Sequence, residues 1–184
     1  MTAQETKLKG CFILEPAVYK DDRGAFFESF SQKKFEELTG QPVHFVQDNQ
    51  STSVYGTVRG LHFQRGAHAQ AKLVRVLSGA VLDIAVDLRP GSATYGQWVA
   101  VKLSSENHLQ LYIPRGFAHG FSVLEDHTVF AYKCDNYYNK ESEGGIRYND
   151  PQLAIEWEIP EDKMLLSEKD IILPYLSSLN PPVI

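Results

Sequence analysis

Two histidines sit in short stretches whose neighbours could do chemistry. The first stretch reads Gly56-Thr57-Val58-Arg59-Gly60-Leu61-His62-Phe63-Gln64, with Lys72 and Gly79 further on. The second reads Ile113-Pro114-Arg115-Gly116-Phe117-Ala118-His119-Gly120-Phe121. An imidazole can take or give a proton near neutral pH. An ammonium can hold negative charge as it develops. Such a set points to acid–base catalysis, with a cation to stabilise an anion. Strand periodicity puts His62 and Gln64 on one face, with Leu61 and Phe63 on the other. Lys72 shares a face with Val74 and Val76. His119 follows a Pro-x-Gly turn that can deliver a side chain into a barrel. Arg59 has the wrong parity to share the face of His62. It either reaches from a strand end or is re-aimed by a bulge at Gly60. Tyr132 alternates with Thr128 and Phe130, and a place across a pocket from His62 would make it an acid. Asp83 lies inside the apolar run Val81 to Val86. Buried there it needs a partner such as His119; facing water at a strand edge it needs none.

The elements that must position these groups are strands. Residues 11–19 are apolar and β-prone. Asp21-Asp22-Arg23-Gly24 reads as a turn into a second strand, Phe26 to Phe30. Ser31 can cap a short helix through Leu38 that Gly40 ends. From Val43 to Tyr132 strand follows strand. Leu73 to Leu77 and Val81 to Leu88 flank Ser78-Gly79, a hairpin signature. Gly91 to Tyr95 reads as a loop and Gln97 to Leu103 as a strand. Phe121 to Leu124 and Thr128 to Cys134 suggest another antiparallel pair. Beyond Pro151, Leu153, Ile155, Trp157 and Ile159 alternate in an irregular tail expected to pack across the barrel. Many short strands with Gly/Pro turns indicate a sandwich or small barrel.

Composition narrows the class. A chain of 184 residues, 43% apolar and 22% charged, is expected to be one ordered domain. A net charge of −5 argues against bulk attraction to nucleic acid or an anionic membrane. Cys11 and Cys134 lack metal-type spacing and read as free thiols of a reducing compartment. Met1 to Gly10 is polar, without the apolar core of a signal peptide, and no apolar run is long enough to span a bilayer. The expectation is a cytoplasmic protein.

The Gly, His and Pro spacings are similar to the two motifs of the cupin β-barrel. A metal-binding cupin has His-x-His and then Glu in its first motif, where this chain has Gln64 and Lys72. No metal is therefore expected. The expected fold is mainly β, a cupin-type antiparallel β-barrel (jelly roll) with a few short helices, spanning residues 1–184.

A longer ordered set of stretches resembles the dTDP-4-dehydrorhamnose 3,5-epimerase family along nearly all the chain. It runs through Asp22-Arg23-Gly24-Ala25-Phe26-Phe27-Glu28, Phe45-Val46-Gln47-Asp48-Asn49 and Arg59 to Gln64. It continues with Lys72-Leu73-Val74-Arg75-Val76, Ala85-Val86-Asp87-Leu88-Arg89 and Ile113 to Phe121. It closes with Asn149-Asp150-Pro151 and Leu166-Ser167-Glu168-Lys169-Asp170. Tyr148, where the family often has Trp, and the extreme C-terminus depart from it. The resemblance implies inversion at C3 and C5 of dTDP-4-dehydro-6-deoxy-D-glucose, giving dTDP-4-dehydro-L-rhamnose for dTDP-L-rhamnose biosynthesis. Both carbons flank the C4 ketone, so an enolate can form without a redox cofactor or metal. By the same resemblance His62 is the base with Asp170 behind it, Lys72 steadies the C4 oxygen, and Tyr132 returns a proton from the opposite face. His119, held by Asp83, contacts the sugar or the enolate oxygen. Arg23 and Arg59 suit the diphosphate, and Tyr138 stacks on thymine. Glu28, Gln47, Asn49, Glu143 and Lys169 match further ligand positions. In the family an N-terminal segment crosses to the neighbouring subunit, which implies a homodimer with Arg23 and Glu28 serving the partner's pocket. A single-carbon epimerase or a ketoisomerase on a related 4-keto sugar is the alternative within this set. A sugar-nucleotide-binding barrel without catalysis has no need of His62, Asp170, Lys72 and Tyr132 together, and a metal oxygenase is disfavoured by Gln64 and Lys72.

Overall fold

Alternation of side chains sorts the strands into two facing antiparallel sheets. The computed structural model describes residues 1–179. The extreme C-terminus, residues 180–184, lies outside the described residues. The first strands are β1 (Thr2–Glu5), β2 (Phe12–Glu15), β3 (Tyr19–Asp21) and β4 (Gly24–Phe26). Then come β5 (Gln47–Ser53), β6 (Val58–Gln64), β7 (Lys72–Ser78), β8 (Ala80–Asp87) and β9 (Trp98–Ser104). The last are β10 (Gln110–Ile113), β11 (Phe117–Val123), β12 (Thr128–Cys134) and β13 (Glu143–Gly145). One sheet has the order β1-β2-β10-β7-β12-β5 and the other β13-β6-β11-β8-β9, while β3 and β4 form a separate hairpin. This is the mainly β, cupin-type jelly roll that the sequence predicts.

Three apolar layers hold the sheets. Between them, Val74, Val76 and Phe130 from one wall meet Val81, Ala85, Val99, Phe117 and Phe121 from the other. Outside the five-stranded sheet, Leu61, Phe63, Leu82, Ile84 and Val86 pack against Leu153 and Trp157 of the C-terminal tail. The eight residues of β8 are consequently all buried, one face inside the barrel and one under the tail. Outside the six-stranded sheet, Phe35 of α1 (Gln32–Thr39) packs with Leu14, Leu73 and Tyr112. The ends of α1 follow its punctuation: Ser31 Oγ accepts from the Lys34 N–H and the Gly40 N–H donates to the Glu36 carbonyl.

Both expected hairpins are corrected. β7 and β8 lie in different sheets, as do β11 and β12. Period-two patterning says which face a residue takes but not which strand it pairs with, and a tight turn serves a corner between sheets as well as a hairpin. At Gly79, with φ 79°, a Cβ would come 2.3 Å from Thr128 Oγ1, so the corner is closed to larger residues. The strand expected over Phe26 to Phe30 ends at Phe26. Phe30 instead packs edge-on to Phe45, at 5.4 Å between centroids, beside Phe35 of α1. Cys11 and Cys134 are free and buried. Among the described residues no helix is long and apolar enough to cross a membrane.

Candidate active site

β6 and β11 of one sheet face β5, β7 and β12 of the other across a cavity of ≈330 Å³. His62 and His119 are direct cross-strand partners on β6 and β11. The next pairing joins Arg59 to Phe121, so three steps on β6 oppose two on β11. That extra residue is a bulge, and it returns Arg59 to the cavity face that simple parity denied it. Gly60, at φ 116°, is the residue that fits: a Cβ there would lie 2.7 Å from Gly120 Cα and 2.8 Å from the His119 carbonyl oxygen. Arg59 then lines the cavity, its Nη2 donating to Ser53 Oγ at 3.2 Å.

The two ring nitrogens of His62 differ. Nε2 lies 3.0 Å from Asp170 Oδ1. Nδ1 is buried without a hydrogen-bond partner among the described residues, 4.0 Å from Glu143 Oε1. Asp170 sits in α2 (Glu168–Ile171), whose N-cap Ser167 accepts from the Asp170 N–H at 3.1 Å. Burial alone would raise the Asp170 carboxyl. The His62 ring, the Gly60 N–H and the Ser167 contact outweigh it and hold the group below the ordinary carboxylate range. A carboxylate on Nε2 keeps the proton there, which leaves Nδ1 as the basic nitrogen.

Lys72 and Tyr132 enter from the opposite sheet. Lys72 Nζ lies 5.9 Å from the centre of the Tyr132 ring. Burial holds the Lys72 ammonium below the ordinary lysine range, opposed only in part by Cys134, Asp83 and Glu143. Burial also raises the Tyr132 phenol, against a smaller opposite pull from Arg59, so it is protonated at neutral pH. Deeper in, His119 Nε2 lies 2.9 Å from Asp83 Oδ2, and both side chains are buried. Burial lowers the His119 imidazole and raises the Asp83 carboxyl, while each partner's charge opposes the shift of the other. Burial is therefore the first reading of Asp83 that holds, with His119 as its partner.

At the mouth, Tyr138 donates to Glu143 Oε2 at 3.1 Å, and Lys169 Nζ donates to Glu143 Oε1. Burial would raise Glu143, but the Lys169 ammonium holds it below the usual range. The cavity thus collects Arg59, His62, Lys72, His119, Tyr132, Tyr138, Glu143, Lys169 and Asp170. Four other expected residues do not line it. Arg23 is on the exposed β3–β4 hairpin, paired with Asp21, and Glu28 pairs with Lys34 at 2.9 Å. Gln47 and Asn49 share the inner face of β5 with Ser51, opposite Cys134 and Tyr132, but their side chains are engaged elsewhere: Gln47 Oε1 accepts from the Tyr138 N–H at 3.2 Å and Asn49 faces Cys134. Sequence reasoning missed Gln50, Ser51, Gln70 and Ser167 on the lining. Ser167 alone carried a readable signal, a serine opening the turn Glu168-Lys169-Asp170. Among the described residues no cluster of His, Cys, Asp or Glu has the arrangement of a metal site. Gln64, in one of the metal-ligand slots, turns its carbonyl to the Asn139 N–H instead.

A base on one wall, with a phenol and an ammonium on the other, can remove a proton beside a carbonyl and return one to the opposite face. The profile of the dTDP-4-dehydrorhamnose 3,5-epimerase family matches residues 5–178. The Escherichia coli dTDP-4-dehydrorhamnose 3,5-epimerase is 54% identical over 171 residues, 92% of this chain and 91% of that protein. The crystal structure of the Elizabethkingia anophelis dTDP-4-dehydrorhamnose 3,5-epimerase superposes with a TM-score of 0.95 at 57% identity, over 98% of this chain and 99% of that one. The dTDP-6-deoxy-D-glucose-3,5-epimerase of Legionella pneumophila, solved in complex with dTDP-4-keto-L-rhamnose, gives 0.93 at 51% identity, over 97% and 94%.

Proposed function

The chain belongs to the dTDP-4-dehydrorhamnose 3,5-epimerase family, and from that premise we propose how its residues carry out the inversion of C3 and C5 of dTDP-4-dehydro-6-deoxy-D-glucose. The enzyme is an isomerase of the dTDP-rhamnose route. The His62 imidazole removes the proton at a carbon next to the C4 ketone. Lys72 holds the enolate oxygen. The Tyr132 phenol gives its proton to the opposite face of the same carbon, and the imidazolium and phenolate then exchange with solvent to reset. The observation that carries this reading is the placement of base and acid on opposite sheets, β6 and β12, around one cavity. His119 meets the sugar, with Asp83 orienting its ring. Arg59 takes the diphosphate, Tyr138 the thymine, and Glu143 and Lys169 the mouth. Incubation of the keto sugar nucleotide with enzyme in deuterated water is expected to label both C3 and C5. Label at one carbon alone indicates a single-carbon epimerase, and label at neither removes the assignment.

The active unit is a homodimer in the same proposal. The β3–β4 hairpin stands away from its own cavity with Tyr19 68% and Phe26 73% exposed. That exposure supports an arm that covers the partner's pocket with Arg23 and Glu28. The whole of residues 1–184 acts as one domain. The two free, buried cysteines support a reducing cytoplasm as its compartment.

A further inference from the structure

We propose that Gln64 is a positioning residue for nucleotide binding, one that fixes the Tyr138 platform relative to His62. The inference rests on the assignment of Tyr138 to thymine. Tyr138 is 54% exposed, so packing does little to hold its ring. Its place is set by what anchors its backbone. Two consecutive N–H groups there meet glutamine carbonyls from opposite sheets. Tyr138 N donates to Gln47 Oε1 of β5 at 3.2 Å, and Asn139 N donates to Gln64 Oε1 of β6 at 3.1 Å. Gln64 is 7% exposed and lies two residues after His62 on the same strand, so its own place is fixed by the barrel.

The backbone of Gln64 holds the far end of the loop as well. Its backbone partner across the sheet is Glu143, the residue that accepts from Tyr138 and from Lys169. Between them the short helical turn Lys140–Ser142 is held to the end of β6, with Arg65 N donating to the Ser142 carbonyl at 2.8 Å. The Asn139 side chain caps that turn through Ser142 N at 3.0 Å. The strand that carries the base thereby sets the distance to the nucleotide platform. Loss of the Gln64 carbonyl frees the Asn139 N–H and the Tyr138 ring, with no direct effect on proton transfer.

The test is Gln64→Met, similar in size but without the amide acceptor. The expected result is a rise of about tenfold in the Kd for dTDP, read by calorimetry, with a parallel rise in KM and kcat within about twofold of native. Gln64→Glu, which keeps an acceptor oxygen, is expected to regain most of the affinity. In a Tyr138→Ala background Gln64→Met is expected to add less than about twofold, because both changes act through one ring. Native dTDP affinity in Gln64→Met, a loss of kcat at unchanged KM, or full additivity with Tyr138→Ala overturns the proposal. Should Gln64→Met fail to fold, Gln64→Asn, whose shorter amide stops short of Asn139, is measured in the same way. Calorimetry with dTDP needs no turnover, so the outcome is read independently of the labelling experiment that tests the reaction itself.

Discussion

At the scale of single residues, the site works by giving equivalent atoms unequal surroundings. One nitrogen of His62 lies 3.0 Å from Asp170 and the other has no hydrogen-bond partner among the described residues, so the carboxylate favours one tautomer of the ring. His62→Ala is expected to fold and to bind dTDP while turnover falls by on the order of 10²–10⁴, the usual contribution of a general base. A near-native rate in that variant removes His62 from its role. Tyr132→Phe keeps the ring and deletes only the proton. It is expected to lose inversion by a similar factor and still to exchange substrate hydrogen with solvent, because abstraction by His62 is untouched. An isotope exchange that stops in Tyr132→Phe contradicts that division of labour. His119 and Asp83 have the composition of a second dyad, but Asp83 is wholly buried and His119 keeps only an edge on the cavity, and their contact suits orientation of a sugar contact better than proton transfer.

At the scale of elements, the bulge at Gly60 decides which side chains of β6 reach the cavity. It swings Arg59 inward, and the Gly60 N–H itself reaches toward Asp170 Oδ2 at 3.5 Å. Gly60→Ala puts a methyl against the backbone of β11, so stability is expected to fall by on the order of 1–3 kcal/mol and kcat to fall with it. A variant that melts like native protein and turns over normally shows that the bulge can be built another way. The loop after β8 offers a pH test. Burial alone would raise the Asp87 carboxyl, but Arg89, Ser92 and Thr94 hold it down at about 2. A folded value below the unfolded one contributes stability above the unfolded value, lost as pH falls through about 2. Asp87→Asn is thus expected to cost on the order of 2 kcal/mol near neutrality, with the gap to native protein closing between about pH 4 and pH 2. Denaturant titration across that range checks it, and a gap that stays constant with pH rules the linkage out. Much of this level was legible in the sequence. Parity alone placed Lys72 with Val74 and Val76, and Tyr132 with Phe130, on the inner wall. Strand pairing was not legible, because Gly79 and the turn before Thr128 carry the signals of a hairpin while serving as corners between sheets. Arg59 was readable only as two options, since a bulge is settled by the close approach of a second strand. Asp170 and Lys169 were reachable only through family resemblance, because nothing local marks a tail residue as the neighbour of a histidine so distant in the chain.

At the scale of the whole molecule, the proposed homodimer would make activity a property of the pair, because each pocket would draw Arg23 from the partner. Mixing Arg23→Ala with His62→Ala subunits after joint refolding is expected to restore about a quarter of native turnover. Half the dimers are then mixed, and each mixed dimer holds one complete pocket. Mixed dimers that remain as inactive as either parent place Arg23 in its own subunit's chemistry or in none. The C-terminal tail has a consequence of another kind. It both covers the outer face of β8 and delivers Asp170 to His62. On the ribosome, every strand of both sheets emerges before this segment does, and domains can begin to close while synthesis continues. A barrel formed at that stage already has its histidines, lysine and tyrosine, but its base has no carboxylate to set the tautomer and one sheet still shows its apolar back. In the proposed mechanism the order of residues along the chain would thus withhold the carboxylate partner of His62 until the barrel is roofed.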